Sequence, residues 1–556
     1  MTLPDTPDVL ILGAGVNGAG LFRDLAAQGV SVVLADKGDY GSGSSAAPSR
    51  LIHGGLKYLE TGELRLVAQS TYERNLLLRN APHLVHPLAT VIPIQSWAKG
   101  VWAALRTLMG TTTAPRARGA ALIWAGLMMY DFYGRRARVM PRHSMWSARR
   151  ALREIPPLTP RIKAAGQYYD AHVTYPERLV LELVQDGQRE GAHAAALNHT
   201  QLLGVKDGRI GLRKPDGSEH WLTPRIVINA AAPWIDQVND SLGEHSKFIG
   251  GTKGSHILLD HPELYRALNG RMVYFEADDG RICLAFPHLG RVLAGSTDIR
   301  ADNPDTVACD ATEITYFLDS LRALFPALTI EASQIVHVYS GIRPLPASDG
   351  TAAGLISRDH STPELPAQGA RPWPILSMVG GKWTTFRGFA AEVADTVLER
   401  LSKTRQISTD TLPIGGGRDY PDNPQLWANE IARDTGCSPD RARLLLRRYG
   451  THARPILAAE GPDPTPLAGA PDHSHQEIAH IMAHEQVVHL DDVVLPARGR
   501  IMRRYSDPDR NYYGVHYSDM ELQHMEKLFD ELYGTDYRGD VDSRGLTFSD
   551  GGTDLP

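Results

Sequence analysis

The sequence of 556 residues has little of what several classes of protein require. It contains three cysteines, far apart and without a CxxC pair, which excludes a disulfide framework or a thiolate metal site: Cys283, Cys309 and Cys437. It has no uncharged run of about 18 residues, so no membrane-spanning helix is predicted. Its net charge of -6 shows no basic excess, which argues against a general nucleic-acid binder. We therefore expect a protein of a reducing compartment with no nucleic-acid partner.

The first residues also lack a targeting signal. MTLPDTPDVLILGAG has neither the basic n-region nor the small-residue cleavage site of a signal peptide, and its apolar run is too short to span a bilayer. We expect a cytoplasmic protein, at most peripheral on the inner face of the cytoplasmic membrane. The chain is too long for a single hydrophobic core, so two or three domains are predicted.

What is present begins with a glycine-rich turn between two apolar runs. Val9–Leu12 ends in GAGVNG, a helical pattern follows to Gly29, and the second run, Val30–Ala35, ends at Asp36. This order predicts strand, turn, helix and strand, the unit that binds dinucleotides. A plain glycine turn is the alternative, which the flanking strands and the acid disfavour. The expected contacts are Gly13 at the tight turn, Gly15 at the pyrophosphate, Gly18 at the helix–strand contact, Asp36 at the ribose, and Ala14, Asn17 and Lys37 beside them.

The loop after Asp36 distinguishes between NAD and FAD, which use the same unit. An NAD domain would normally continue directly into another strand and helix, whereas a flavin needs hydroxyls and backbone N–H groups along its ribityl chain. Here the chain continues with GSGSSAAPSR and then LIHGGLKYL. The pattern therefore favours FAD, with expected contacts from Ser44, Ser45, Ser49, Arg50, His53, Gly54 and Gly55.

The segment SSAAPSRLIHGGLKYLE resembles the signature of FAD-dependent, aerobic-type glycerol-3-phosphate dehydrogenases. The resemblance covers residues 8–400 well and the remainder more loosely, and it continues in the family's order through PHLVHPLATVIPI, KGSHIL, AGSTD, YSGIRPLPASD, LISRDH and GGKWTTFRGFAAEVAD. It implies an enzyme with non-covalent FAD that oxidises sn-glycerol 3-phosphate to dihydroxyacetone phosphate by hydride transfer from C2 to flavin N5, with quinone as electron acceptor. Three alternatives stay open: a dehydrogenase of a related polyol phosphate such as erythritol phosphate, an oxygen-using oxidase, and a flavoprotein without alcohol chemistry.

The resemblance implies an α/β fold in three parts. A Rossmann-like FAD-binding domain of the glutathione-reductase/D-amino-acid-oxidase type is expected in three segments, 1–95, 168–245 and 340–403. An inserted α+β substrate or cap domain is expected at 96–167 and 246–339. A helical C-terminal domain follows at 412–535, since Gln425–Tyr449, His475–His489 and Ser518–Tyr533 have helical periodicity. The polar, Gly/Asp-rich tail at 540–556 is predicted to be disordered.

Oxidation of a secondary alcohol by a flavin needs a base for the hydroxyl proton and a cation near the developing oxygen charge. Arg343, within SGIRP, is implied by the resemblance to bind substrate beside the flavin, and a structural arginine paired with a carboxylate is the alternative. Lys382 follows Gly380 and Gly381 at a helix start, where backbone N–H groups can face the flavin pyrimidine ring. A solvated lysine is its alternative. Thr384 is expected to contact both cofactor and substrate.

Four further residues complete the predicted substrate site. Lys57 and Tyr58 are expected to contact the phosphate ester, although the family usually has arginine at position 57 and lysine lacks the bidentate fork. His53 and His256 are both candidates for the base because imidazole titrates near neutrality, and a structural role is the alternative for each. Asp298 could orient a partner or simply form a turn.

No metal site is predicted. His480 and His484 stand four apart on a predicted helix, a spacing that could bind zinc, but the pattern is not HExxH and no further ligand stands out.

Residues 96–153 carry eleven Lys/Arg against one acid, Asp131, interleaved with Trp, Leu and Met. Such a segment suits an interface with anionic lipid, so peripheral membrane contact is expected there. The alternative is a cap helix that buries the same apolar face in its own core. Homodimer formation is also retained as an expectation.

Overall fold

The computed structural model describes residues 3–59, 62–97, 119–277, 279–301, 303–348, 358–369, 371–467 and 470–488, together with two short strands at Val494–Leu495 and Gly499–Arg500. Its other strands are β1 Val9–Leu12, β2 Val32–Ala35, β3 Leu51–Ile52, β4 Val85–Ile94, β5 Ser144–Ser147, β6 Ala164–Val173, β7 Ala194–Leu197, β8 Gln201–Lys206, β9 Arg209–Arg213, β10 Glu219–Leu222, β11 Ile226–Asn229, β12 Thr252–Leu259, β13 Met272–Glu276, β14 Ile282–His288, β15 Arg291–Gly295, β16 Ile299–Arg300, β17 Ile335–Arg343, β18 His360–Ser361, β19 Glu364–Leu365, β20 Ile375–Ser377, β21 Val379–Gly380, β22 Pro466–Leu467 and β23 Ala470–Ser474.

The α-helices are α1 Val16–Ala27, α2 Leu64–Asn80, α3 Ala120–Tyr133, α4 Ala148–Glu154, α5 Pro176–Arg189, α6 Ile235–Ser241, α7 Pro262–Leu268, α8 Ala311–Leu324, α9 Phe386–Arg400, α10 Pro424–Thr435, α11 Pro439–Tyr449, α12 Ala453–Glu460 and α13 His475–His484. Within the described part of the chain, no helix combines the length and the apolar character needed to cross a membrane.

The first sheet has six strands in the order β19-β20-β11-β1-β2-β7. Strand β1 pairs in parallel with β2 and with β11, and only the edge strand β19 is antiparallel. All four residues of β1 are buried because the sheet is covered on both faces. Helices α1, α5 and α9 lie over one face, where Leu21, Phe22 and Phe389 belong to the main core. The glycine turn therefore lies at the carboxyl end of a central strand, the usual place for a nucleotide.

The second sheet has ten strands and carries its own core. Its path runs β16-β12-β15-β14-β13-β4-β6-β3, with β17 paired to β12 and β5 paired to β6. One face packs against α4, α7 and α8 through Trp146, Ile257 and Phe317. Alternation along β6 turns Tyr168 and Asp170 to one common face.

Two strands of this second sheet, β6 and β17, cross the sequence-based boundaries, and two more, β3 and β4, lie wholly within the segment 1–95. Strand β4 ends at Ile94, inside the segment assigned to the flavin domain, yet it pairs along its whole length with β6. Strand β6 starts at Ala164, before the boundary at 167, and β17 continues to Arg343, past the boundary at 339. The alternating pattern of a strand identifies a strand but not the sheet that it joins, so these boundaries move.

The C-terminal helical domain, residues 415–488 of the described part, has a core formed by α10 to α13 that includes Trp427 and Ile481. The continuous pattern predicted over 425–449 is two helices, because Gly436 takes a left-handed conformation at φ 79° and Ser438 caps the next helix ahead of a proline. Helix α13 ends at His484 rather than 489. The helix predicted at 518–533 and the tail at 540–556 lie outside the described residues.

Candidate active site

The glycine turn after β1 is shaped by close backbone approaches. Gly13 has φ 108°, and a Cβ on it would lie 2.6 Å from the Ala230 carbonyl oxygen. A Cβ on Gly18 would lie 1.9 Å from the Gly13 carbonyl oxygen. Gly15 is the N-cap of α1, whose first turn has no acidic residue. The positive end of this helix is therefore available to a phosphate group.

Asp36 stands beside this turn at the end of β2. Its carboxylate accepts the backbone N–H of Ala14 at 2.6 Å and that of Gly38 at 2.8 Å. These two bonds fix the carboxylate next to the turn, where a ribose hydroxyl would meet it. The Lys37 side chain points elsewhere, because its Nζ lies 4.2 Å from the centroid of the Trp234 ring and 3.4 Å from Asp305.

The Gly380–Gly381 turn also lies close to the first turn of α1. Both residues have left-handed φ values, 74° and 85°, and a Cβ on Gly380 would lie 2.7 Å from the Asp359 carbonyl oxygen. A Cβ on Gly381 would lie 3.4 Å from the Asn17 side-chain nitrogen. The Asn17 side-chain oxygen is buried without a hydrogen-bond partner among the described residues. Four features of this region fit a bound dinucleotide: the N-terminus of α1, the glycine backbone, the fixed Asp36 carboxylate and the buried Asn17 amide oxygen that lacks a described partner.

The serine-rich loop between these parts is fastened to the second sheet. The Ser45 hydroxyl accepts the backbone N–H of Val16 at 2.9 Å, and the Ser44 hydroxyl donates to the Ile342 carbonyl at 2.8 Å. Arg50 donates to the Thr174 carbonyl at 3.1 Å and lies 3.7 Å from Glu177. The loop therefore joins the nucleotide sheet to the sheet that carries Arg343.

A second group of predicted site residues lies in mutual contact: Lys382, Tyr58, His53 and Thr384. Lys382 is buried, donates to the Ser70 hydroxyl at 3.0 Å and lies 4.5 Å from the centroid of the Tyr58 ring. The His53 ring stacks on Tyr58 at a centroid distance of 6.3 Å, and the His53 backbone N–H donates to the Thr384 hydroxyl at 3.1 Å. Burial lowers the pKa of Lys382 to about 7. Burial, with the positive charges of Lys382 and Arg358, holds the pKa of His53 well below its usual range. His53 is therefore uncharged near pH 7, which is the protonation state that a base requires.

A buried polar network accepts hydrogen bonds from the His53–Gly55 loop. The Gly54 N–H donates to the Tyr130 hydroxyl at 2.8 Å and to Asp170 at 3.1 Å. Arg74 donates to the same two groups at 2.9 Å each, and the Tyr130 hydroxyl also donates to Asp170. A Cβ on Gly54 would lie 2.4 Å from the Tyr130 oxygen, so only glycine allows this approach. Sequence analysis missed this network because its members are far apart in ordinary helix and strand patterns.

Arg343 and a second arginine share one carboxylate. Arg343 donates to Asp298 and to the Ser296 hydroxyl, each at 3.2 Å, and Arg358 donates to the other Asp298 oxygen at 3.0 Å. A Cβ on Gly254 would lie 2.1 Å from the Arg343 guanidinium. Burial lowers the pKa of Arg343 to about 10, with a further contribution from Arg358. Burial opposes ionisation of Asp298, but the two arginines and Lys57 outweigh it and lower its pKa.

Arg343 is thus a candidate substrate ligand that is also paired with a carboxylate, as the alternative interpretation from the sequence expected. Asp298 orients two guanidiniums rather than only forming a turn. Arg358 was not singled out from the sequence, and its place within the LISRDH motif was the signal that could have identified it.

His256 lies in the second sheet, where the charge of Arg343 acts on it. It is buried, its Nε2 is 2.8 Å from the Ser49 hydroxyl, and its ring stacks on Tyr339 at 4.9 Å. A Cβ on Gly295 would lie 2.3 Å from the ring. Burial lowers the pKa of His256 to about 3. Of the two candidate bases, His53 is the one that the structure places beside Tyr58 and Lys382.

His480 and His484 stack on each other at a centroid distance of 4.3 Å, and His484 Nδ1 lies 2.8 Å from the His480 carbonyl oxygen. In the described ranges no group of three or more potential ligands is arranged to hold a metal ion.

Helix α3 divides its apolar residues between two faces. Ile123, Leu127 and Tyr130 are buried against the core that also includes Leu56 and Tyr58. Trp124, Met128 and Phe132 are exposed, with 50%, 48% and 56% of their surface accessible. The buried face agrees with the interpretation of a cap helix, and the membrane contact stays a prediction that concerns the exposed face; residues 98–118 of the segment lie outside the described residues.

Residues 8–387 match the family model of the FAD-dependent oxidoreductases, and residues 407–511 match that of the C-terminal domain of alpha-glycerophosphate oxidase. A glycerol-3-phosphate dehydrogenase of Synechocystis sp. is 34% identical over 477 residues, which cover 81% of this chain and 80% of the relative. A D-erythritol 1-phosphate dehydrogenase of Brucella abortus is 29% identical over 512 residues, covering 89% and 94%. The crystal structure of the Bacillus halodurans glycerol-3-phosphate dehydrogenase complexed with FAD superposes with a TM-score of 0.69 at 20% identity, covering 97% of this chain and 95% of that one.

These matches confirm the predicted fold class and FAD as the cofactor, and they agree with a site whose backbone fits a dinucleotide. This chain belongs to the FAD-dependent oxidoreductases and, within them, to the family of glycerol-3-phosphate dehydrogenases.

Proposed function

We propose that this enzyme oxidises the C2 hydroxyl of sn-glycerol 3-phosphate to the ketone of dihydroxyacetone phosphate. The observation that carries the proposal is the pairing of a neutral imidazole, His53, with a group of cations around Tyr58. Lys382 lies over the Tyr58 ring, and Arg343 and Arg358 both act electrostatically on its hydroxyl. A base beside several cations is what removal of a hydroxyl proton from a phosphate ester requires.

FAD, when bound between the glycine turn and Gly380–Gly381, supplies the acceptor for the hydride that leaves C2. His53 accepts the hydroxyl proton, so the alcohol loses one hydride and one proton and becomes the ketone. Arg343 and Arg358 hold the phosphate or the developing oxygen charge, because both guanidiniums bind the same carboxylate, Asp298, through its two oxygens. Lys57 adds a point charge in the same region, since it lowers the pKa of Asp298.

A related polyol phosphate is the second candidate substrate, because the Brucella abortus relative acts on D-erythritol 1-phosphate by name. The discriminating experiment is anaerobic bleaching of the bound flavin by glycerol 3-phosphate, erythritol 4-phosphate and glycerol. We expect the fastest bleaching with glycerol 3-phosphate and the slowest with glycerol. Faster bleaching by the four-carbon ester would replace the proposed substrate, and bleaching by none of them would refute the alcohol chemistry.

We propose quinone as the electron acceptor and the inner face of the cytoplasmic membrane as the working location. The exposed face of α3 supports this, because Trp124, Met128 and Phe132 lie on a surface that Arg135 and Arg136 flank. Comparing a quinone analogue with oxygen uptake separates a dehydrogenase from a peroxide-forming oxidase. Sedimentation with vesicles of anionic phospholipid tests the surface: Trp124→Ser with Met128→Ser should reduce binding, and equal binding would contradict the membrane contact.

A further inference from the structure

The C-terminal domain returns to the flavin domain at a corner formed by Glu485 and Gln486. Gln486 has a left-handed φ of 52°, which turns the chain after α13. Glu485 accepts two hydrogen bonds from Arg178 of α5, at 2.7 and 2.9 Å, and both side chains are buried. This ion pair anchors the corner against the helix that covers the nucleotide sheet.

Gln486 makes three contacts beyond that anchor, one of which is a long hydrogen bond of 3.5 Å from its side-chain nitrogen to the Ala196 carbonyl. The Tyr40 hydroxyl donates to the Gln486 side-chain oxygen at 2.8 Å, and the Asn198 amide donates to the Gln486 carbonyl at 2.9 Å. Tyr40 is among the largest fully buried side chains. Burial raises the pKa of Tyr40 well above its usual value, so its hydroxyl stays protonated and remains a donor.

Tyr40 belongs to the loop 36–41, which starts with the ribose carboxylate. The Gly41 N–H donates to the Ala14 carbonyl at 2.9 Å, and the Ala14 N–H donates to Asp36 at 2.6 Å. Asn198 also donates to Asp39 at 3.1 Å. The loop is therefore held between the glycine turn on one side and the Gln486 corner on the other.

We infer that Gln486 is a positioning residue for the cofactor, through which the C-terminal domain fixes Asp36 and the glycine turn in the conformation that holds the adenosine half of FAD. The corner does not touch the substrate group around Tyr58 by any contact in the described residues. Its effect is therefore on retention of FAD and is independent of which polyol phosphate is oxidised.

The test uses the full-length holoenzyme and three single substitutions. Gln486→Ala and Tyr40→Phe each remove the hydrogen bond between Tyr40 and the Gln486 side chain, and both keep the bridge through Asn198 to Asp39. Gln486 is itself exposed, so its replacement leaves the core intact. Gln185→Ala is the matched control, because Gln185 donates to the His484 carbonyl at 3.2 Å and so touches the same corner without touching the loop. The measurements are the FAD dissociation constant and the melting temperatures of the FAD-loaded and FAD-free forms.

We expect a rise in the FAD dissociation constant of about fivefold in Gln486→Ala and in Tyr40→Phe, the effect of one lost hydrogen bond. The double variant should show no further rise, and Gln185→Ala should bind FAD normally. The gap in melting temperature between loaded and FAD-free protein should narrow only in the first two variants. Equal melting losses in both forms with unchanged FAD binding would overturn the inference, since the corner would then only dock the domain. Equal FAD loss in the Gln185→Ala control would overturn it as well.

Discussion

The nucleotide end and the substrate end of the active site differ in the parts of the chain that form them. The nucleotide end consists of backbone: Gly13, Gly15 and Gly381 give it shape, and short segments of sequence specify it. The substrate end consists of side chains, including His53, Arg343 and Lys382, that separate strands and helices bring together. The first half should therefore be most sensitive to a Cβ added at Gly13, whereas the second should be most sensitive to a changed charge.

The largest effect is expected from Gly13→Ala. The new Cβ would meet the Ala230 carbonyl oxygen at 2.6 Å, so the turn must open and the FAD dissociation constant should rise about 100-fold, or roughly 2.8 kcal/mol. Gly29→Ala is the control, because Gly29 also has a left-handed φ, 69°, but no described atom lies within 4 Å of its added Cβ. Both should lose some stability, and only Gly13→Ala should give colourless protein. A yellow Gly13→Ala variant with normal FAD affinity would disprove the backbone cradle.

Arg343→Ala and Lys382→Ala test the side-chain half. Each should slow flavin reduction by glycerol 3-phosphate by more than about tenfold, at least roughly 1.4 kcal/mol, because each removes a charge-assisted contact. Both should keep their FAD, in contrast to Gly13→Ala. The measurement is stopped-flow anaerobic bleaching with flavin content determined beforehand. Unchanged rates in both variants would place the substrate elsewhere.

Lys57 should contribute less, and in a way that depends on the phosphate. Lys57→Ala should weaken binding of glycerol 3-phosphate by about fivefold while leaving glycerol nearly unaffected, since a partly exposed charge pair gives about 1 kcal/mol. Lys57→Arg should preserve or improve binding through a bidentate contact. Flavin reduction at varied substrate concentration measures both. Equal losses with glycerol and its phosphate would end the phosphate role of this residue.

The smallest effect is a shift in pH dependence. Burial lowers the pKa of Lys382 to about 7, so its charge is present below that pH and is lost as the pH rises through it. We expect flavin reduction to slow above about pH 7. Lys382→Arg should remove this limb because arginine stays charged. Asp170→Asn should move it to lower pH, since the Asp170 carboxylate raises the pKa of Lys382. A pH profile that is identical in all three proteins would exclude Lys382 as its origin.

The difference between the two ends of the site also accounts for which of its residues could be predicted from the sequence. The turn at Gly13, the strand before it and Asp36 were predicted because the motif is local and each residue type answers a backbone requirement. Residues of the substrate end were predicted mainly through family motifs. Asp170 and Tyr130 were missed because nothing in a strand or helix pattern reveals which distant N–H a side chain accepts. The domain boundaries moved for a similar reason, since the alternation in β4 does not show that its partner is β6.

The Asp298 carboxylate affects which ligand charges the enzyme can distinguish. Asp298 is ionised between Arg343 and Arg358, so these three groups leave a single net positive charge. Lys57 adds a second charge, and Lys382 adds a third only below its pKa of about 7. A phosphate monoester above pH about 6 is a dianion and matches the total of two that remains above the pKa of Lys382. A carboxylate of the same shape carries one charge less and leaves a buried guanidinium uncompensated. With the phosphate bound as proposed, we expect the site to select its ligand by charge before it selects by length, and we expect Asp298 to set the charge that the site accepts.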